Sequence, residues 1–257
     1  IKEKVDIEVE IFVHGALCIA YSGRCVLSNH MTARDSNRGG CCQSCRWNYD
    51  LYRQEAGQEI PLFSDNDVPF AMSSKDLNLL KYVPQLIEMG IDSFKIEGRM
   101  KSIHYVATVV SVYRKVIDTY CADPEHFEFK DEWLKELAKC ANRATDYGFY
   151  KGLPGYQQQL FNESSQKPSH DFAGMVLDYD EQTKMVTVQQ RNFFKIGDQV
   201  EFFGPNIDNF TMTVKNLYDE EGNMLDAARH PLQIVRFQVD QPVHRYNLMR
   251  KENVHAV

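Results

Sequence analysis

The 257-residue chain has little of what would mark it for membranes, export or general nucleic-acid binding. No apolar run approaches the roughly 18 residues that span a bilayer, so no membrane partner is expected. The opening IKEKVDIEVE is charged from its second residue, and no secretory signal peptide is expected in it. Basic residues are outnumbered, 29 Lys and Arg against 36 Asp and Glu, for a formal charge of −7. That excludes a surface that is basic all over, though not a local basic groove. Internal repeats and low-complexity tracts are missing. So are the signatures of two protease classes, the G-x-S-x-G elbow and the H-E-x-x-H pair. Without an export signal, a disulfide framework is the weaker reading of 7 cysteines, and metal binding or catalysis the stronger. These traits fit a cytoplasmic protein long enough to bury a core without staples. The chain does not begin with Met, and a piece of a longer protein is expected.

What is present is concentrated in one early segment, GALCIAYSGRCVLSNHMTARDSNRGGCCQSCRW. Cys18, Cys25, Cys41 and Cys45 follow the spacing C-x6-C-x15-C-x3-C. Four thiolates this close in sequence can converge on one centre, either an iron–sulfur cluster or a zinc ion. The spacing is unlike that of zinc ribbons, which use tight C-x2-C pairs. Arg24, Arg34, Arg38 and Arg46 surround the cysteines. They would stabilise thiolates and an anionic cluster, or bind RNA phosphates or a dicarboxylate. Cys42 is an extra thiol beside the third candidate ligand. Cys121 and Cys140 fall in helical segments and read as small buried hydrophobes.

The pattern predicts an α/β region followed by an all-β one. Residues 1–121 alternate strands (Asp6–Val13, Val68–Ser73, Ile91–Ile96) with helices (Asp76–Met89 and Ser102–Tyr120). Pro84 breaks or restarts the first helix. The second places Ile103, Val106, Val109, Val110, Tyr113 and Ile117 on one face. Alternation implies a parallel sheet. Three strands are too few to close, so the expectation is the C-terminal part of a (β/α) TIM-like barrel; a small complete α/β domain is the alternative. In such a barrel the side chains just past the strand C-termini build the site. Those are His14, then Ser73, Ser74 and Lys75, then Glu97, Arg99 and Lys101. His14, Lys75, Glu97 and Arg99 are the candidate catalytic residues. Their structural readings are a satisfied buried histidine, a helix start at Lys75-Asp76, and a Glu97–Arg99 ion pair. Residues 122–167 form a connector with a helix over Glu132–Ala144, where Arg143 either contacts RNA or braces the chain. Residues 168–257 carry short strands at regular spacing and predict a small β-barrel domain. There Phe193, Phe194, Phe202 and Phe203 read as core in preference to base-stacking groups, and Arg229, His230, Arg236, His244, Arg245, Arg250 and Lys251 form a mildly basic region.

The segment from Glu10 to Trp47 resembles the signature region of peptidase family U32. The matching features are Glu10, Phe12, Gly15-Ala16-Leu17-Cys18, Ser22-Gly23-Arg24-Cys25 and Ser28. The likeness continues through MSSKDL (Met72–Leu77), IDSFKIEGRMKS (Ile91–Ser102), NRATDYGFY (Asn142–Tyr150), VEFFGP and ARHPLQIVRF, and so covers nearly the whole chain. The nearest subgroup is that of the tRNA hydroxylation proteins. The resemblance implies a (β/α) barrel whose N-terminal half is missing from this chain. It also implies a four-cysteine 4Fe-4S cluster on Cys18, Cys25, Cys41 and Cys45, with zinc as the alternative metal, and a small C-terminal β-barrel. The implied activity is prephenate-dependent 5-hydroxylation of the wobble uridine of tRNA, with tRNA as the partner. The alternatives are a collagenase-like peptidase, after the family's older name, and a non-catalytic RNA-binding module. The oligomeric state is not implied.

Overall fold

The computed structural model describes residues 1–49, 52–55, 58–61, 70–71, 73–141, 143–160 and 168–253. The chain divides into two compact units, Ile1–Arg99 with Asn142–Gln166, and Met100–Ala141 with Lys167–Val257. These units cut across the three segments read from sequence. The long helix groups with the C-terminal sheet, not with the strands before it, and the connector is shared between the two.

In the first unit, four strands lie in the order Ser93–Ile96, Glu10–Gly15, Asp76–Asn78, Thr145–Asp146. The wholly parallel sheet expected from the alternation does not form. Ser93–Ile96 runs parallel to Glu10–Gly15, but Asp76–Asn78 runs antiparallel to it, with His14 opposite Asn78 and Gly15 opposite Leu77. Thr145–Asp146 is parallel to Asp76–Asn78. No closed (β/α) barrel is seen among the described residues. The helix expected from Asp76 to Met89 is likewise shorter. Asp76–Asn78 is extended, and Asn78 Oδ1 accepts from the Leu80 N–H at 3.1 Å to turn the chain. A 3-10 turn, Leu80–Tyr82, follows, and helix α2 is only Val83–Glu88. Pro84 sits in its first turn, where the missing N–H costs nothing, so proline starts this helix and does not break it. Of the expected strand Val68–Ser73, positions 68, 69 and 72 lie outside the described residues. Phe70–Ala71 pairs with Asn48–Tyr49, and Ser73–Ser74 with Gln159–Leu160.

In the second unit, helix α3 spans Ile103–Ala122, and Ser102 Oγ caps it by accepting from the Tyr105 N–H at 3.2 Å. The buried stripe is Tyr105, Val109, Val112, Tyr113, Val116 and Tyr120, rotated from the expected face. Ile103, Val106 and Val110 are exposed and line one wall of a groove of about 1040 Å³. Helix α4 is Asp131–Ala138, ending before the expected Ala144.

Six antiparallel strands then follow in the order Phe210–Thr213, Gln199–Phe203, Leu248–Glu252, His170–Asp180, Met185–Gln190, Ile234–Gln238. Alternating residues fill one face, with Val176, Val188, Val200, Phe202, Phe237 and Met249 in a single core. The sheet curls without a ladder joining its two edge strands among the described residues, giving a half-barrel where a closed barrel was expected. A bulge between Phe172 and Gly174 helps it bend. A Cβ at Gly174 would come within 2.4 Å of Val188 Cγ1.

Beneath this sheet lies a buried charge network. Arg250, fully buried, donates from Nε to Glu201 at 2.8 Å and from Nη2 to Glu136 at 2.6 Å. Lys139 donates to Glu201 at 2.9 Å and lies 3.0 Å from Glu136. Burial alone would raise both carboxyls; their bonds to Arg250 and Lys139 hold them below the usual range. His104 stacks on Phe172 and meets Phe203 edge-on. Burial, with help from the Arg250 charge, pushes its pKa down to about 4.

Candidate cysteine metal centre

The Glu10–Gly15 strand delivers His14 and Gly15 to one rim of the first sheet. Gly15 has φ +112, and a Cβ there would lie 2.3 Å from the Glu97 carbonyl oxygen, so only glycine fits. The chain then enters the cysteine loop, which fastens itself with short-range bonds. Ser36 Oγ and Asn37 Nδ2 both donate to the Cys25 carbonyl at 3.1 Å. The Gly40 N–H donates to the Asp35 carbonyl at 2.7 Å. Two outside groups reach in. Ser74 Oγ donates to the Leu17 carbonyl at 3.0 Å, and Arg99 Nη2 donates to the Gly39 carbonyl at 3.0 Å.

Cys18 is exposed, and Cys25, Cys41, Cys42 and Cys45 are half-buried. Burial raises the Cys45 pKa; Arg46 opposes this, and the negative charges of Cys18, Cys41 and Cys25 add to it. Cys45 is thus the thiol through which the other three are linked electrostatically. Among the described residues, no three Cys, His, Asp or Glu side chains are arranged around a single metal ion. Cys42 turns elsewhere. Its Sγ accepts from Ser28 Oγ at 3.1 Å and Thr32 Oγ1 at 3.4 Å, on helix α1 (Leu27–Thr32), and these bonds lower its pKa to about 7.

Beside Cys45 sits a buried ion cluster that sequence reasoning undervalued. Asp76 Oδ1 lies 3.3 Å from both Arg46 Nη1 and Arg143 Nε. Arg143 Nη2 also donates to the Ser74 carbonyl at 3.0 Å. Among the described residues, two guanidiniums face this one carboxylate. Burial and Arg46 depress the Arg143 pKa, while Asp76 and Cys45 oppose them. Asp76 was read as a helix cap; the signal that could have found it was its place in the MSSKDL motif. Arg143 is 4 % exposed and is held by Asp76 and the Ser74 carbonyl.

The other candidates fall as follows. His14 is buried, and its carbonyl accepts from the Glu97 N–H at 2.9 Å. Glu97 Oε1 accepts from the Arg99 backbone N–H at 3.2 Å, so the two residues meet without a side-chain ion pair. The Arg99 guanidinium serves the loop at Gly39. Lys75 is half-buried, with its N–H bonded to the Gln158 carbonyl at 2.9 Å. Because Asp76–Asn78 runs backward, Lys75 and Asp76 come to the same rim as His14, Gly15 and Glu97. Arg24, Arg34 and Arg38 are exposed. Cys140 is buried, as expected, but Cys121 is exposed on α3. Phe194, Phe202 and Phe203 are core, whereas Phe193 is 41 % exposed.

Comparison with known proteins adds a family. Residues 1–160 match the model of peptidase family U32, and residues 168–250 match the peptidase family U32 C-terminal domain. The chain is 68 % identical to "tRNA hydroxylation protein P1" of Bacillus subtilis over 97 % of its own length, but spans only 59 % of that relative. It is 37 % identical to a "Collagenase" of Porphyromonas gingivalis, over 57 % of this chain and 34 % of the relative. A crystal structure of the C-terminal domain of a Geobacillus thermoleovorans U32 peptidase matches 32 % of this chain and 93 % of its own, at 63 % identity and TM-score 0.32. With matches to both family models and the cysteine motif intact, the chain belongs to peptidase family U32.

Proposed function

We propose that the chain is part of a cytoplasmic RNA-hydroxylating enzyme that acts on tRNA. In this reading it adds a hydroxyl at C5 of the wobble uridine with prephenate as co-substrate. The observation that carries the reading is the 68 % identity to a protein named for tRNA hydroxylation. A C-terminal part of a larger (β/α) barrel remains the architecture proposed for the whole protein.

We read the donor set as suited to an iron–sulfur cluster in preference to zinc, because its C-x6-C-x15-C-x3-C spacing is unlike the tight C-x2-C pairs of zinc ribbons. Cys18, Cys25, Cys41 and Cys45 would hold the cluster, and when bound it would supply one-electron chemistry. Cys42, bonded to the α1 hydroxyls, is left out of the set.

The protein's own groups have separable tasks. Arg46 and Arg143, sharing Asp76, offset the charge of the thiolates. Arg99 and Ser74 hold the loop backbone at Gly39 and Leu17. Lys75 and Arg99 place cations at the rim, suited to the carboxylates of a dicarboxylate co-substrate. Buried His14 and half-buried Glu97 stand at that rim and remain the candidates for proton transfer.

Nucleoside mass spectrometry of tRNA from cells lacking the full-length gene tests the proposal. Loss of the 5-hydroxyuridine family is expected, and an unchanged nucleoside profile overturns it. The peptidase reading is favoured by the names of other relatives, among them a collagenase 37 % identical over 57 % of this chain and an archaeal protease 33 % identical over 84 % of it. Collagen hydrolysis that survives replacement of all four cysteines would support it.

A further inference from the structure

Phe193 stands out in the second unit because its neighbours on the strand obey alternation and it does not hide. Phe194 points into the core and is fully buried, while Phe193 and Lys195 face out. The Phe193 N–H donates to Asn192 Oδ1 at 2.8 Å. Two other segments bring cations to that ring. Lys251 Nζ lies 5.4 Å from its centroid and the Arg229 guanidinium 5.9 Å. Each follows a buried residue, Arg250 and Ala228; the Arg229 side chain is half exposed and that of Lys251 about one-fifth exposed. Asp198 bonds Lys251 and Asp226 bonds Arg229, which fixes both cations in place. Lys195 adds an exposed cation that shares no ion pair with a carboxylate among the described residues, while the Arg191 guanidinium lies over the Phe172 ring at 5.9 Å. A chain with a formal charge of −7 thus carries a local excess of positive charge around one exposed aromatic ring.

We propose that Phe193 is a stacking platform for an unpaired base of an RNA substrate, with Lys195, Arg229 and Lys251 meeting the flanking phosphates. The inference rests on the RNA-modifying reading and names a contact surface for it. An exposed ring offers any base a π-face, and surrounding cations gain affinity by releasing counterions from phosphate. A duplex hides its base faces, so an unpaired segment is the form selected. An acidic protein partner would use the cations but has no base to stack.

Binding of an unmodified tRNA transcript and of oligouridine to the 257-residue chain, followed by fluorescence anisotropy over a salt series, tests this. Phe193→Ala is expected to weaken both about 5- to 100-fold with the salt slope unchanged, while Phe193→Trp binds like the parent. Arg229→Gln is expected to lower the salt slope by about one and to weaken all RNAs alike. Duplex RNA is expected to be insensitive to Phe193→Ala. Equal affinity of parent and Phe193→Ala overturns the platform, as does absence of RNA binding by the parent or cation-dependent binding that ignores the ring. Circular dichroism of Phe193→Ala guards against misfolding, and Phe193→Trp gives a second reading that does not remove the ring. Because binding is measured without turnover, a Phe193-dependent affinity together with an unchanged nucleoside profile would sink the hydroxylation reading and leave the platform standing.

Discussion

The unit containing α3, α4 and the antiparallel sheet encloses Val176, Val188, Val200, Phe202, Phe237 and Met249 in one continuous core, with its charges paired beneath. Among the described residues, the cysteine-bearing unit buries Val13, Leu77, Leu79, Leu80, Val83, Leu86 and Leu160 close to the sheet. Its loop is held instead by single bonds such as Ser74 to Leu17 and Arg99 to Gly39. The difference teaches where order comes from. Apolar burial stabilises the second unit whatever is bound, whereas the loop gains most from a group that ties its thiols together.

The sharpest break would come from the cysteines. Replacing Cys18, Cys25, Cys41 or Cys45 with Ala is expected to abolish bound iron and sulfide in anaerobically purified protein. Cys42→Ala is expected to keep them. Hydrogen exchange should then quicken in residues 16–46 and stay constant in the sheet strands; equal effects in both units would erase the contrast. Next in size, Arg250→Ala removes a fully buried cation, leaves two half-buried carboxylates short of a partner, and is expected to cost about 3–5 kcal/mol in denaturant unfolding of the second unit. Lys139 limits the loss, so a value under about 1 kcal/mol would show that it suffices alone.

Acid sharpens the comparison further. The folded pKa of His104, about 4, lies below the 6.5 of an unfolded histidine. The unfolded chain therefore takes up the proton first. The contribution is complete above pH 6.5 and is lost as pH falls toward 4, by up to about 3 kcal/mol. His104→Phe should flatten that slope in unfolding melts followed through the sheet. The smallest effect is expected from Asp76→Asn, which weakens two ion pairs in the first unit. About 1–3 kcal/mol is expected there, with no change in the second unit's melt.

Much of the second unit was legible because its signals are local. Ser102 followed by a 3.6-residue repeat marks α3 correctly, although its apolar residues cover two faces and only burial shows which one is inside. The strand periods of 168–257 are equally local, but closure depends on edges that no short pattern records. The first unit was harder for a physical reason. Asp76-Leu77-Asn78-Leu79-Leu80 fits a helix or a strand, and its pairing with Gly15 and His14 settles the choice from a distance. Strand direction is likewise a tertiary property. The four-cysteine set is an expectation drawn from spacing, whereas the shared carboxylate of Asp76 joins positions 46, 76 and 143, which no motif links.

The backward course of Asp76–Asn78 has one more consequence. A strand that returns in the opposite sense lets the segment after Gly15 leave the sheet and rejoin it at the same edge. Such a segment is topologically an insertion between two adjacent ladder partners. Its length is therefore uncoupled from the pairing that supports it: residues can be added or removed in that stretch without shifting the register of the sheet underneath.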